Sequence, residues 1–585
     1  MTDSIFKNIK KLWQYIGKTR RLHFIFLIIL MILASFAEIL SIGAVFPFFG
    51  VLMDPNKILD VPFILPFLKT FNITATDQII AAVTIFFCLA VILAGAMRIM
   101  STWVSVRLSF ALGRDLSNDI YKRTLYQPYS IHVSRNSSDV INGIWVKVSE
   151  VIFYILMPVF NLISSTILCI TLVVTLLVVT PNVALMAIGG LIIVYGVIIK
   201  LTKEKLKINS VTIARESNNI IKNLQEGLSG IRDVLIDNSQ ENFCTTYNNT
   251  NSVLRRAQGT NQIIGQIPNF ILVSLGMVLI AFVSYTLTIS GGFAKAMPSL
   301  AALTLGLQRL LPNAQQLYAA WSTITGSQAS LKDVIDLLEQ PYPENIDEAV
   351  SLPVPFKRDI TVNNVSFRYN ENTPLILKNI DLKITKGARI GFIGTTGCGK
   401  STLLDIVMGL LNPSEGNIKV DGQLITESNC RSWQAHIAHV PQIVFLADNT
   451  IESNIAFGIP TELIDKNRVR RAAEQAQLAE IIDSWPLKYD TRVGERGVQL
   501  SGGQCQRIGI ARALYKEASL IILDEATSAL DSKTEKEVLD SIENLSKDIT
   551  ILVIAHRLNT LGFCTEVIEL DKGGIIKSSL NNILH

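Results

Sequence analysis

Three short stretches of the chain carry side chains suited to phosphate chemistry. The first, "GTTGCGKST", runs from Gly394 to Thr402. Its glycines, Gly394, Gly397 and Gly399, let backbone N–H groups approach phosphate oxygens, and a helix opening behind them adds positive potential. In such a loop Lys400 reaches the β- and γ-phosphates and the Ser401 hydroxyl ligates Mg²⁺. The second stretch, "LIILDEATSALD", spans Leu520 to Asp531. Four apolar residues form a buried strand and bring Asp524 out at its end, where a carboxylate can hold Mg²⁺ through water. Glu525 stands one residue on, placed to polarise an attacking water. The third, "LSGGQCQRIGIARAL", sets Ser501, Gly502 and Gly503 before a helix and makes a second anion cradle. One γ-phosphate needs one cradle, so the second needs an explanation.

These residues need a strand before the loop and a helix after it. "RIGFIG" reads as a buried strand and "KSTLLDIVMGLL" as an amphipathic helix. From Ile360 onward short apolar strands, helices and Gly-rich turns alternate, as in an α/β domain.

The rest of the chain has a different character. The 585 residues are 49% hydrophobic and only 17% charged, below the roughly 25% charged share of soluble domains. The net charge of +4 says little about partners, and no nucleic-acid partner is expected. Seven dispersed cysteines show no metal-ligand spacing and no disulfide framework. Six apolar stretches, roughly 23–51, 78–103, 151–180, 183–200, 264–290 and 299–321, are long enough to cross a bilayer. The N-terminal segment 1–22 and the loops 104–150 and 200–262 are rich in Lys and Arg, which places them in the cytosol. Both loops keep helical periodicity, so the spans run on as helices beyond the membrane, with breaks at "QPYS" and "GLSG". The expected order is a transmembrane domain over 23–322, a linker over 323–358 and a nucleotide-binding domain over 359–585. The fold class is therefore multi-domain: an all-α six-span half followed by an α/β P-loop ATPase half with a helical subdomain.

The P-loop, "LSGGQ" and "ILDEATSALD", in this order, resemble the nucleotide-binding domain of the ABC transporter family. The resemblance extends over nearly the whole chain, six spans and two long loops followed by one ATPase domain, which is the plan of an exporter half-transporter. It implies ATP and Mg²⁺ as cofactors and a homodimer in which Ser501, Gly502, Gly503 and Gln504 of one chain close over ATP held by the P-loop of the other. Within that P-loop, Thr395, Thr396, Cys398 and Thr402 join the glycines, Lys400 and Ser401 as ATP contacts. Tyr369 resembles the aromatic that stacks on adenine. Gln442, which contacts Mg²⁺ and water, and His556, which contacts the γ-phosphate, join Glu525 as catalytic residues. Asp531 fits the dimer-contact loop, and "VGERG", Val493 to Gly497, resembles a segment that exporters use to touch the transmembrane helices.

For cargo, "SFAEILSIGAVFPFFGVLMDP" and "GLQRLLPNAQQLY" resemble bacterial lipid-linked oligosaccharide flippases, which implies a polyprenyl-pyrophosphate glycan and membrane lipid as partners. Arg309 falls near mid-bilayer, where a charge costs ~2.5–3.5 kcal/mol on insertion scales. Ala302, Gly306, Arg309, Asn313 and Gln316 recur on one helix face, a small and polar stripe suited to lining a wet cavity. Arg98 and Arg309 are candidate pyrophosphate ligands, since guanidinium binds such groups bidentately. Headgroup snorkelling for Arg98 and an ion pair with Glu38 for Arg309 stay open, as do drug, lipid and peptide export. The loop "ILDVPFILPFLKTF" is expected to lie on the outer membrane face.

Overall fold

The computed structural model describes residues 3–44, 48, 76–179, 181–291, 293–342, 354–527, 529–555 and 561–578. The expected interfacial loop and His556 lie outside them. The chain forms two compact units, one of residues 1–127 and 135–342, the other of residues 128–134 and 343–585.

The first unit is helical. An amphipathic helix, Asp3–Tyr15, precedes Lys18–Gly43. Thr76–Leu125 is one helix of 50 residues, ~75 Å long by the α-helical rise, far more than a bilayer needs. Pro181–Ser229 and Gln240–Gly291, of 49 and 52 residues, are equally long. These two pack on each other, and Phe293–Gly326 packs on Met157–Val179. Among the described residues, three segments are long and apolar enough to span a membrane: Lys18–Ser41, Gln78–Leu125 and Ser137–Thr175. The third contains two π-helical turns, Asn142–Lys147 and Ile152–Leu156. Breaks follow the two expected sites: Tyr129–Ser134 is a short separate helix after "QP", and Ile231–Ile236 another after "GLSG".

Residues 323–358, read from sequence as a linker, contain a helix, Gln328–Leu338. Its Leu331, Val334, Ile335 and Leu338 recur at helical spacing and are buried in the core of the first unit. That burial gives the segment a packing role that a linker does not have.

The second unit holds two sheets. Strands β1 (Asp359–Phe367), β2 (Leu377–Thr385), β4 (Glu415–Val420) and β5 (Gln423–Leu424) form an antiparallel sheet in the order β2-β1-β4-β5. The larger sheet orders as β10-β9-β3-β8-β7-β6, with β3 (Arg389–Gly394), β6 (Ile437–Val440), β7 (Leu520–Asp524), β8 (Thr550–Ile554), β9 (Glu566–Asp571) and β10 (Gly574–Ser578). Its pairings are parallel except for β9 with β10. Parallel strands are buried on both faces, and β7 shows it: Leu520, Ile521, Ile522 and Leu523 are all buried. Register aligns the strand ends, with Phe392 and Asp524 both opposite Ile554 and Val440 opposite Leu523. The carboxyl ends of β3, β8, β7 and β6 therefore share one edge, where open α/β sheets bind ligands.

Candidate functional site

The loop leaving β3 is shaped by glycines in left-handed geometry. Gly394, Gly397 and Gly399 have φ of +140°, +83° and +103°. A Cβ at Gly394 would lie 2.2 Å from the Leu570 carbonyl oxygen, so only glycine fits there. Thr395, Thr396 and Gly397 form the exposed apex, while Cys398, Gly399 and Lys400 are buried. The Lys400 ammonium lies inside the ring, donating to the carbonyls of Gly394 and Thr395 at 2.8 and 3.1 Å. The helix Lys400–Val407 then starts, with Ser401 exposed and Thr402 buried on its first turn. The result is a cradle of backbone amides, one ammonium and one hydroxyl.

Asp524 ends β7, and Glu525 follows with φ of +48°, its N–H bonded to the Ile554 carbonyl at 3.3 Å. A non-glycine residue in that region is strained by ~1–3 kcal/mol, a cost that clusters at functional sites. Gln442, just past β6, donates from Nε2 to Glu525 Oε2 at 2.7 Å. One side chain of the expected catalytic set thus holds another. Asp405, one turn after Ser401, adds a carboxylate that the sequence reading missed. Burial and the Asp524 charge push its carboxyl up to about 6. This concentration of negative charge beside Ser401 fits a hard dication such as Mg²⁺, which favours oxygen ligands.

Tyr369 follows β1, 45% exposed, its ring edge-on to Phe367 at 5.1 Å. Tyr129, on the short helix that belongs to this unit, has its phenol raised by burial and by the nearby charges of Asp405 and Tyr369.

The second cradle, at "LSGGQ", is a helix cap. Ser501 Oγ accepts from the Gln504 N–H at 3.2 Å while the Ser501 N–H donates to Gln504 Oε1 at 2.9 Å, a capping box on Gly502–Tyr515. Gly502 and Gly503 lie against Ala529, where the Ala529 N–H donates to buried Gln506 at 3.0 Å. Asp531 caps the next helix, Ser532–Glu543, accepting from the Thr534 N–H at 3.1 Å, and these bonds hold its carboxyl below the usual range. Thr527 donates to Glu535 at 2.8 Å. Gln506 thus ties the helix Gly502–Tyr515 to the segment that follows Glu525, and the Thr527–Glu535 pair ties that segment to the helix Ser532–Glu543. Sequence reasoning missed both, because each residue looks like ordinary helix polarity until its partner is known.

The candidate cargo residues lie in the helical unit. Arg309 Nη1 donates to Glu38 Oε1 at 2.6 Å, with the Glu38 side chain 10% exposed and that of Arg309 49%. The ion-pair alternative is therefore realised, and about half of the Arg309 side chain stays exposed. Arg98 is exposed and makes no ion pair among the described residues. The polar stripe departs from the wet-cavity expectation. Asn313 is buried and bonds the Arg309 carbonyl at 2.7 Å, and Gln316 accepts from Ser165 at 3.1 Å. Polar groups within an apolar bundle must find partners inside the protein, and these two have done so. The side chains of Ala302 and Gly306 lie outside the described residues.

Comparison with known proteins adds to this geometry. The family profile "ABC transporter transmembrane region" matches residues 22–306 and "ABC transporter" matches residues 377–528. An ATP-dependent lipid A-core flippase of Chromohalobacter salexigens is 39% identical over 46% of this chain and 46% of its own length. One of Idiomarina loihiensis is 33% identical over 61% of each chain. One of Ralstonia nicotianae is 28% identical over 80% of this chain and 79% of its own. The chain spans about half the length of the first curated relatives it matches. The solved structure of a bacterial Atm1-family exporter with ATP bound covers 97% of this chain and 96% of its own, with TM-score 0.77 and 23% identity, a likeness of fold.

Proposed function

The chain belongs to the ABC transporter family, with membrane and ATPase regions joined in one polypeptide, and on that premise we propose that it is a homodimeric exporter that hydrolyses ATP to flip a lipid-linked cargo. The observation that carries the ATPase reading is the shared strand edge. It gathers the P-loop cradle, Asp524 and the Gln442–Glu525 hydrogen bond in one unit.

In this reading Lys400 and the loop amides hold the β- and γ-phosphates, and Tyr369 offers its exposed ring to adenine. Ser401, Asp524 and Gln442 would hold Mg²⁺, which supplies charge neutralisation on the phosphates when bound. Glu525 accepts a proton from water, and Gln442 fixes the carboxylate that accepts it. Ser501 and the amides of Gly502 and Gly503 serve the γ-phosphate on the partner chain, and Asp531 borders that contact. His556 is assigned to the γ-phosphate on resemblance alone.

For the cargo we favour a polyprenyl-pyrophosphate-linked glycan, moved across the cytoplasmic membrane. Support comes from the half-exposed Arg309 side chain on a membrane-domain helix and from relatives named ATP-dependent lipid A-core flippases. A fork of donors suits pyrophosphate oxygens, and Glu38 holds it in place. Arg98 is a second candidate ligand. The test is flipping of a labelled polyprenyl-pyrophosphate glycan in proteoliposomes, with Arg309→Ala as the variant. Stable Arg309→Ala protein that flips fully would remove the pyrophosphate contact and bring drug or simple-lipid export forward.

A further inference from the structure

The loop that carries Gln442 runs without regular structure from the end of β6 to the short helix Ile451–Ile455. Such a loop does not satisfy its own backbone groups, so its shape depends on partners from elsewhere. Packing does little to hold Gln442, since its neighbour Ile443 is 84% exposed. Two polar side chains do the holding. Asn454, fully buried, shapes the far end. Its Oδ1 accepts from the Ala447 N–H at 3.0 Å, and its Nδ2 donates to the carbonyls of Ala447 and Thr450 at 2.9 and 3.0 Å.

The stretch nearer Gln442 is held by Arg512, from the helix Gly502–Tyr515. Arg512 Nη2 donates to the Phe445 carbonyl at 3.1 Å, and Nε donates to the Asn454 carbonyl at 2.9 Å. The guanidinium lies over the Phe457 ring, 4.5 Å from its centre, and that ring meets Phe445 edge-on at 6.4 Å. Gly509, three residues earlier on the same helix face, admits Val444: a Cβ there would lie 2.7 Å from Val444 Cγ2. Residues 444 and 445, two and three positions past Gln442, are thus both seated on this face. Arg512 is half-buried and forms no ion pair among the described residues. Withdrawing a charge from water without a counter-ion is costly. Here the planar fork is spent on two loop carbonyls and a ring, a geometry that lysine does not reproduce.

We propose that Arg512 is a positioning residue for ATP hydrolysis, a brace on the loop that fixes where Gln442 meets Glu525. The proposal rests on the assignment of Gln442 to hydrolysis made above. It holds whether Gln442 acts on the carboxylate or on Mg²⁺, since either contact requires the loop to stay in place.

The test measures steady-state phosphate release, equilibrium ATP binding and melting temperature on the full-length protein. The variants are Arg512→Met, Arg512→Lys, Gln442→Ala and Arg512→Met combined with Gln442→Ala. Methionine keeps an apolar stem over Phe457 and removes every donor. Arg512→Met should slow hydrolysis about tenfold, as for one lost hydrogen bond to a charged group, with ATP affinity retained. Arg512→Lys, which keeps the charge and one contact, should recover part of the rate. Added to Gln442→Ala, Arg512→Met should cost less than about twofold more, because the group it positions is already gone. Wild-type turnover by folded Arg512→Met protein would overturn the brace, whether or not its melting temperature falls. So would losses that multiply in full. Should Arg512→Met fail to fold, Arg512→Lys carries the same comparison with Gln442→Ala. A wild-type rate in Gln442→Ala protein would overturn the Gln442 assignment itself, and the brace with it; a slow Gln442→Ala beside a fast Arg512→Met would overturn the brace alone.

Discussion

Removing the Gln442 amide tests whether Glu525 acts as a held base or as a lone carboxylate. The bond is 2.7 Å long and ends on a carboxylate oxygen. Hydrogen bonds to charged groups are worth ~1.5–3 kcal/mol. At ~1.36 kcal/mol per decade of rate, Gln442→Ala should slow hydrolysis roughly 10- to 150-fold if the bond matters fully in the transition state. Glu525→Gln removes the base itself and should cost ~10²–10⁴ in rate. The informative measurement is the double variant. If Gln442 serves catalysis by holding Glu525 rather than through its Mg²⁺ contact, adding Gln442→Ala to Glu525→Gln should lower the rate little further, because no base remains for it to hold. Steady-state phosphate release from the full-length dimer, with ATP binding measured in parallel, reads all four corners of the cycle. Losses that multiply in full would refute the positioning role and leave Gln442 with an independent one.

Gly394→Ala should abolish nucleotide binding, since its Cβ would collide with the Leu570 carbonyl oxygen; equilibrium ATP binding checks this. Asp405 titrates near 6 in the fold, above its ordinary value of 3.8, so the folded state binds the extra proton between those values and loses stability as pH rises through them. Asp405→Asn, assayed without nucleotide or Mg²⁺, should therefore raise the melting temperature relative to wild type at pH 7.5 and make no difference near pH 3.5. A mixture of Lys400→Ala and Ser501→Arg chains should contain heterodimers with one intact composite site and recover part of the ATPase activity, whereas each variant alone stays inactive. Arg309→Ala should leave basal ATP turnover near wild type while abolishing flipping, with partial recovery in Arg309→Lys. If the Glu38 pair is purely structural, Arg309→Ala and Glu38→Gln should instead lower thermal stability alike.

What the sequence made legible was chemistry tied to local geometry. A strand, a glycine turn and a helix are contiguous in residues 389–407, so the phosphate cradle could be read without tertiary knowledge. The division into apolar helices and a later α/β region was equally open, since spans and buried strands announce themselves by length and composition. The unread parts depend on partners distant in the chain. Asp405 becomes notable only because β7 brings Asp524 near it. Gln506 meets Ala529 across 23 positions and Arg309 meets Glu38 across 271. The stripe through Asn313 and Gln316 illustrates the opposite error. Periodicity showed that these residues share a face, but not that Ser165 waited on a neighbouring helix to satisfy Gln316.

The central claim is that ATP hydrolysis in this chain moves a lipid-linked glycan between leaflets. The most direct measurement reconstitutes the purified full-length protein in liposomes holding a fluorescent polyprenyl-pyrophosphate glycan. An impermeant sugar-modifying enzyme outside the liposomes then reads the exposed fraction with time. With ATP and Mg²⁺ outside, wild type should deplete the externally accessible glycan, and Glu525→Gln protein should not. Steady ATP hydrolysis by wild type with no change in the accessible fraction would contradict the account.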